Sequence, residues 1–241
     1  MQPIISIITV CLNAAEALER TILSIVSQTM LAGIEYIVID GKSEDQTPEV
    51  LKQYISYIDR WVCEQDSGIY DAMNKGISLS HGQWLLFLNA GDTLYAPNTL
   101  QEITEHLPTS EKIKVLYGDY ATSHAINKAY PLTRIKKHMP FCHQSALFRN
   151  QGVQFSTNYI IASDYAWVRA LYEREGAEAF VYLPITIAHF DTTGLSSNHI
   201  QLQRKEYLKI YTLYPERGLY YWCYWLLVKL RVAIRFGYAR R

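Results

Sequence analysis

"WLLFLNAGD", Trp84 to Asp92, is the stretch on which the fold turns. Trp84 to Leu88 are apolar without alternation, the pattern of a strand covered on both faces rather than one that meets water on one side. Such a strand belongs to a sheet with helices above and below it, the parallel sheet of an α/β domain. The run then ends in Asn89, Ala90, Gly91 and Asp92. A carboxylate at the end of a buried strand is costly unless something pairs with it.

The residues before it repeat the pattern. "IISIITV", Ile4 to Val10, is a continuous β-branched run, and in the helix that follows Leu18, Ile22, Ile25 and Val26 recur at helical spacing. "EYIVID", Glu35 to Asp40, is a second buried strand, and Ser43 or Asp45 is placed to cap the helix after it. "RWVCEQ" leads into "DSGIYDAMNKGISLSHG", where Ile69, Ala72, Met73, Gly76 and Ile77 share one helical face and Asp66 and Ser67 can cap the start. Four strands alternating with helices predict right-handed crossovers, with ligands bound outside the carboxyl ends of the strands. Those ends are Thr9 to Asn13, Asp40 to Asp45, Gln65 to Gly68 and Asn89 to Asp92.

Beyond Asn98 a helix "TLQEITEHL" and a strand "KVLYGDY" extend the sheet. The pattern then loosens through the basic loop "TRIKKHMP", which reads as a solvated face or as a cover for a diphosphate. "FCHQSALFRNQGVQF", a helix "SDYAWVRALYEREG" and "VYLPITIAHFDTTGLSS" follow. The chain of 241 residues is long enough for one large α/β domain with an added lobe. Its 23 basic and 23 acidic residues cancel, which excludes a global field for nucleic acid and leaves anion binding to local groups. Cys11, Cys63, Cys142 and Cys223 are widely spaced with no C-x-x-C pair, as expected of reduced thiols in a cytoplasmic protein without disulfides or zinc. The N-terminal run passes straight into a strand and does not read as a signal peptide.

Neither G-x-G-x-x-G nor a P-loop follows the first strand, so that turn does not cradle a diphosphate. The informative groups are the acids Asp40, Asp66 and Asp92 at strand ends, which can accept hydrogen bonds from a base or ribose or hold a divalent cation against a diphosphate. This combination points to a nucleotide-diphosphate ligand.

"SIITVCLN", "YIVIDGKSEDQT", "DSGIYDAMNKGI", "GQWLLFLNAGD" and "GLSS", in that order and spacing, resemble the family-2 glycosyltransferases of the GT-A fold, near the bacterial colanic-acid and exopolysaccharide type. The resemblance implies a Rossmann-like, mostly parallel sheet with helices on both faces. It also implies an inverting transfer from a UDP- or GDP-sugar to a saccharide or lipid-linked saccharide, with Mg²⁺ or Mn²⁺. In its terms residues 1–120 form the nucleotide-sugar half, 121–205 the acceptor half, and 206–241 a basic aromatic tail. Thr9 and Asp40 would lie against the nucleoside; Asn13, Asp66, Gly68, Asn74 and Gly91 would line the donor. Asp164 matches the family's general base, equally placed to cap a helix together with Ser163. His143 and Gln144 would face the acceptor, although a histidine among apolar residues is commonly a packed one. The family ends the fourth strand in a D-x-D pattern; here only Asp92 remains to hold the metal, with His189 as a further candidate ligand. Met73 stands where many relatives carry Arg, which removes a cationic donor contact. A sugar-nucleotide pyrophosphorylase would need the missing glycine-rich loop, and a non-catalytic nucleotide-sugar-binding or assembly subunit is the other alternative.

The tail differs from the rest. "LYYWCYWLLV", Leu219 to Val228, is followed by Lys229, Arg231, Arg235, Arg240 and Arg241 with no acid after Glu216. Ten apolar residues are too few to span a bilayer, which takes about 20. A basic aromatic helix can lie on an anionic leaflet at the cytoplasmic face of the inner membrane, gaining about 1 kcal/mol per cation. The alternatives are packing on the domain or on a second copy of the chain, giving a homodimer. Deleting residues 218–241 is expected to abolish co-sedimentation with anionic liposomes; retention of binding at the intact chain's level would refute the membrane reading.

Overall fold

A computed structural model describes residues 2–194 and 199–214 of the chain. The tail sequence, Cys223 and the last three residues of "GLSS" lie outside the described residues. Four parallel strands form the first half of the sheet: β1 (Ile5–Cys11), β2 (Ile34–Asp40), β3 (Arg60–Cys63) and β4 (Trp84–Phe87), in the spatial order β3-β2-β1-β4. The crossovers carry α1 (Ala15–Val26), α2 (Thr47–Gln53) and α3 (Ile69–Leu79). This much follows from the continuous apolar runs, since β1 and β4 are buried along their whole length.

The second half is mixed. Past β4 come β5 (Thr93–Leu94), α4 (Thr99–Glu105), β6 (Val115–Ala121), β7 (Ile126–Asn127), β8 (Ala146–Arg149), α5 (Ser163–Glu175) and β9 (Phe180–His189). The strand "KVLYGDY" extends the sheet as expected, but not beside β4: β8 is wedged between them, antiparallel to both. β9 then runs parallel to β6, and β5 pairs antiparallel with the end of β9. The expected boundary at 120 therefore falls inside β6. Similarly, 206 falls inside α6 (Ile200–Thr212), a helix of a separate unit.

Alternation along the strands divides the core between the two faces of the sheet. Ile5, Ile7, Trp84 and Leu86 pack with Leu18, Ile22 and Ile25 of α1, while Ile8, Leu85 and Phe87 pack with Ala72 and Met73 of α3 and Val168 of α5. Each such fully buried side chain contributes about 1.5–3 kcal/mol. Gly76 lets α3 approach β1 closely, because a Cβ there would collide with Ile8.

The expected caps are corrected. Helix α2 begins at Thr47 with no side-chain cap, because the Ser43 hydroxyl is turned to Asp40 while Asp45 accepts the Thr47 N–H. Helix α3 begins after Gly68, whose φ of 135° suits glycine, and Asp66 and Ser67 do not cap it. Cys11, Cys63 and Cys142 are free thiols.

At the amino end of the sheet a buried carboxylate fixes three segments. Glu35 accepts the Ser6 hydroxyl at 2.5 Å and the His81 N–H at 2.7 Å, and its other oxygen meets His81 Nδ1 at 2.8 Å. Arg60 lies 3.5 Å away. Burial works to raise its pKa, but the hydrogen bonds from Ser6 and His81 outweigh this and leave it below the usual carboxylate range. A lowered folded pKa means that the stabilisation is fully present above the unfolded value and is lost as pH falls through the folded one. Glu35→Gln should therefore cost about 2 kcal/mol in denaturant unfolding at neutral pH. The gap to the parent should close as pH falls below about 4; a gap independent of pH would contradict this account.

Candidate active site

The carboxyl ends of β1 and β2 are closed by polar clamps. Asn13, at φ 50°, accepts the Glu44 N–H on Oδ1, its own N–H donates to Ser43 Oγ, and the Ala14 N–H donates to Thr47 Oγ1. Asp40 is 0% exposed: it accepts the N–H and hydroxyl of Ser43 and, at 3.0 Å, the Cys63 thiol. Thr9 is equally enclosed and accepts the Tyr36 phenol at 3.2 Å. In this structure Thr9 and Asp40 are both enclosed and bonded within the protein. Their polar atoms organise the two loops, while Asn13 stays exposed at the rim.

The acids of the third strand end meet a lysine. Lys75 Nζ lies 2.5 Å from Asp66, 2.9 Å from Glu64 and 3.8 Å from Asp71, and the bonds to Asp66 and Glu64 hold its pKa up. Asp66 is thus an ion-pair partner of α3 rather than an unpaired donor contact. Gly68 is open, with nothing within 4 Å of where a Cβ would stand. Asn74 bonds within the protein: its Nδ2 donates to Phe155 O and its Oδ1 accepts the Phe155 N–H, so it clips α3 to the second half.

At the fourth strand end Thr21 of α1 holds the turn, donating to Asp92 O at 2.7 Å and accepting the Gly91 N–H. The Asp92 side chain is 3% exposed and accepts the Asp191 N–H at 2.9 Å and a bond from the Gln144 side chain. Burial, with the nearby charge of Asp191, pushes its pKa up to about 7. Gly91, at φ 104°, does not face open space: the carboxylate of Asp191 fills the place a Cβ would take. Asp191 is steadied by Thr193 and by Arg20 at 3.5 Å, and His189 lies close enough to favour its charge. Asp191 is the residue the sequence reading passed over, although "AHFD" repeats the signal used for Asp92, an acid just past an apolar strand.

The 3-10 turn His143–Ser145 leads into β8 beside this carboxylate. Gln144 accepts the Cys142 thiol at 3.1 Å while it bonds Asp92. His143 is packed, its ring stacked on Phe87 at 4.9 Å and near Phe148 and Phe155; its buried Nε2 has no partner. Burial lowers its pKa, against the opposing charge of Asp164. Asp164 lies in the first turn of α5 but is not its cap, a position held by Ala162. Its Oδ1 is 3.0 Å from the Tyr70 phenol. In the basic loop, Arg134 stacks on Tyr130 at 4.7 Å.

Among the described residues no set of three or more His, Cys, Asp or Glu is arranged to hold a metal alone. Yet Asp92 is a carboxylate whose charge is disfavoured by burial and by a second carboxylate, and the Asn89 Oδ1 beside it is buried without a partner. Oxygen donors in that state fit a hard divalent cation that shares its shell with a ligand, rather than a cage supplied by protein alone.

Four parallel strands with helices between them, continued by a mixed second half of the same sheet, are the architecture of the GT-A fold. The sequence model of the Glycosyl transferase family 2 matches residues 6–180, and the chain belongs to that family. It is 31% identical over 218 residues to the PGL/p-HBAD biosynthesis glycosyltransferase of Mycobacterium bovis, covering 86% of this chain and 83% of that one. This similarity fixes the family and not the polymer, so the colanic-acid type is not established by it. Glucosyl-3-phosphoglycerate synthase of Mycobacterium tuberculosis, solved with Mn²⁺ and UDP-glucose, superposes at a TM-score of 0.61 with 14% identity over 87% of this chain and 78% of that one. S. aureus TarS gives 0.61 with 16% identity over 83% of this chain, which spans only 38% of that longer protein.

Calorimetry should show little Mn²⁺ binding to the free protein and clear binding once UDP or GDP is present, with Asp92→Asn removing the second signal. Tight binding to the free protein would contradict the shared-shell reading.

Proposed function

We propose that this chain transfers the sugar of a nucleotide-diphosphate sugar, with inversion, to a hydroxyl of a saccharide or lipid-linked saccharide in the biosynthesis of a cell-surface glycan. One observation carries the reading. Asp92, from the first half of the chain, is bonded by the Asp191 N–H and the Gln144 side chain from the second half, and the charges of both Asp92 and Asp164 act on Cys142, two positions before Gln144. One is suited to a cation and a diphosphate, the other to a proton.

In this reading Asp92, with Gln144 and Asp191 around it, holds a Mg²⁺ or Mn²⁺, which would supply charge neutralisation for the departing diphosphate. Gly68 leaves the backbone free to approach the donor, and Asn13 stands at the rim. Asp164 takes the proton of the acceptor hydroxyl as its oxygen attacks the anomeric carbon. The nucleoside diphosphate leaves from the opposite face, which inverts that centre. His143, neutral and stacked, together with Gln144 forms the floor beneath the acceptor. His189 acts through Asp191, which it faces. The donor side is supplied by the strand ends of β1 to β4, and the acceptor side by the segments that lead into β8 and α5. Among the described residues no helix is long and apolar enough to cross a membrane; contact with the cytoplasmic face of the inner membrane is proposed for the tail on its basic, aromatic sequence.

The structure of a relative solved with Mn²⁺ and UDP-glucose supports starting with that donor. Purified protein with Mn²⁺ and UDP-glucose, UDP-N-acetylglucosamine or GDP-mannose should release nucleoside diphosphate slowly, and Asp164→Asn should lower that release by about 100-fold or more. Release at the parent rate by the variant sinks the assignment of the base. Tight nucleotide binding with no turnover of any of the three donors favours a binding subunit.

A further inference from the structure

Tyr70 enters no step described above, yet its hydroxyl is buried against the candidate base. It stands in the first turn of α3, with its ring packed on Phe155 at 5.6 Å, and reaches into the second half of the chain. Its Oη lies 2.5 Å from the carbonyl oxygen of Ile161 and 3.0 Å from Asp164 Oδ1. Ile161 immediately precedes the start of α5, and Asp164 lies in that helix's first turn. The phenol therefore bears on the backbone that carries the base and on the base itself.

We propose that Tyr70 is the positioning residue of the base: its one hydroxyl proton, shared between the Ile161 carbonyl and Oδ1 of Asp164, ties the base to the backbone that carries it and leaves Oδ2 to receive the proton of the acceptor. The inference rests on the reading of Asp164 as the base. The acceptor's proton passes to Oδ2, its oxygen bonds to the anomeric carbon, and the bond to the diphosphate oxygen breaks with its electron pair. Tyr70 keeps its own proton throughout. Burial and the charge of Asp164 both hold the phenol protonated, so it remains a donor. Cys142 and His143, from the segment before β8, also feel the charge of Asp164. Burial keeps the thiol protonated and the imidazole neutral, so neither places a charge beside the carboxylate.

A donor aimed at a carboxylate favours its ionised form, and losing that donor makes the carboxylate hold its proton more tightly. In the full-length chain labelled with aspartate bearing ¹³C at the carboxyl, the Asp164 resonance is assigned by its loss in Asp164→Asn. Its titration midpoint should rise in Tyr70→Phe by up to about one unit, a tenfold change in proton affinity. It should fall when 3-fluorotyrosine, a stronger donor of nearly the same shape, replaces Tyr70; this second variant keeps the test open if Tyr70→Phe folds poorly. The acid limb of nucleoside diphosphate release, measured with the donor that the parent hydrolyses, should move in the same directions with KM unchanged. Midpoints unmoved in the variants that fold overturn the proposal. If the midpoints move but Asp164→Asn releases nucleoside diphosphate at the parent rate, the base assignment fails while the contact to Tyr70 stands.

Discussion

The arrangement of the site depends on the antiparallel pairing of β8 with β4. Trp84 opposes Arg149 and Leu86 opposes Leu147, so the residues just before β8 lie just beyond the carboxyl end of β4. Cys142, His143 and Gln144 are brought to Asp92 by this register alone. Because β6 is antiparallel to β8 and parallel to β9, the carboxyl end of β9 points the same way as that of β4. His189 and Asp191 thereby reach the same rim from the far side of the sheet. A parallel strand in the place of β8 would put its entry at the opposite end, and Asp92 would lose Gln144.

The first half of this scheme was legible in the sequence and the second was not, for a physical reason. Strands buried on both faces and helices with one apolar stripe leave local signatures, and β1 to β4 with α1 to α3 show them. Which strand neighbours which is a long-range choice: nothing in "SALFR" says that it slots between "WLLF" and "VLYGDYA". The site divides along the same line. Asp92 and Asp164 lie at element ends as their sequence positions suggest, whereas Asp40 and Asn74 at similar positions are bonded to neighbouring segments of the protein. A polar residue at a strand end has one sequence signature whether its partner is a ligand or a neighbouring loop. Asp191 carried the same signature as Asp92 and became visible as a site residue only through the sheet pairing that brings it there.

Energetics separates the two kinds of polar residue. The carboxylates of Asp40 and Glu35 accept several bonds each, which is what burial of a charge requires. Around Asp92 and Asp164 satisfaction is incomplete: the Oδ1 of Asn89, the Nε2 of His143 and the hydroxyls of Ser145 and Ser163 are buried without a partner. Orphaned groups of this kind cost about 1–3 kcal/mol each, and folded chains keep few of them. The Nε1 of Trp61 on β3 is left in the same state, so what sets Asp92 apart is its raised pKa under burial and the nearby charge of Asp191.

Helix α3 ties that site together. Tyr70 and Asn74 are four residues apart and so lie on one face, and both grip the segment that precedes α5: Asn74 through both backbone groups of Phe155, and Tyr70 through the carbonyl of Ile161. The same helix is pressed against β1 through Gly76, and its start is free at Gly68. Its position is thus set by the first half of the sheet, and Asp164, the proposed base, is held relative to that position. Transfer needs the attacking oxygen and the anomeric carbon at about 3–3.5 Å, and small misplacements cost rate steeply. A helix clamped to the first half and bonded twice to the second fixes that separation with side chains already in place before either substrate arrives.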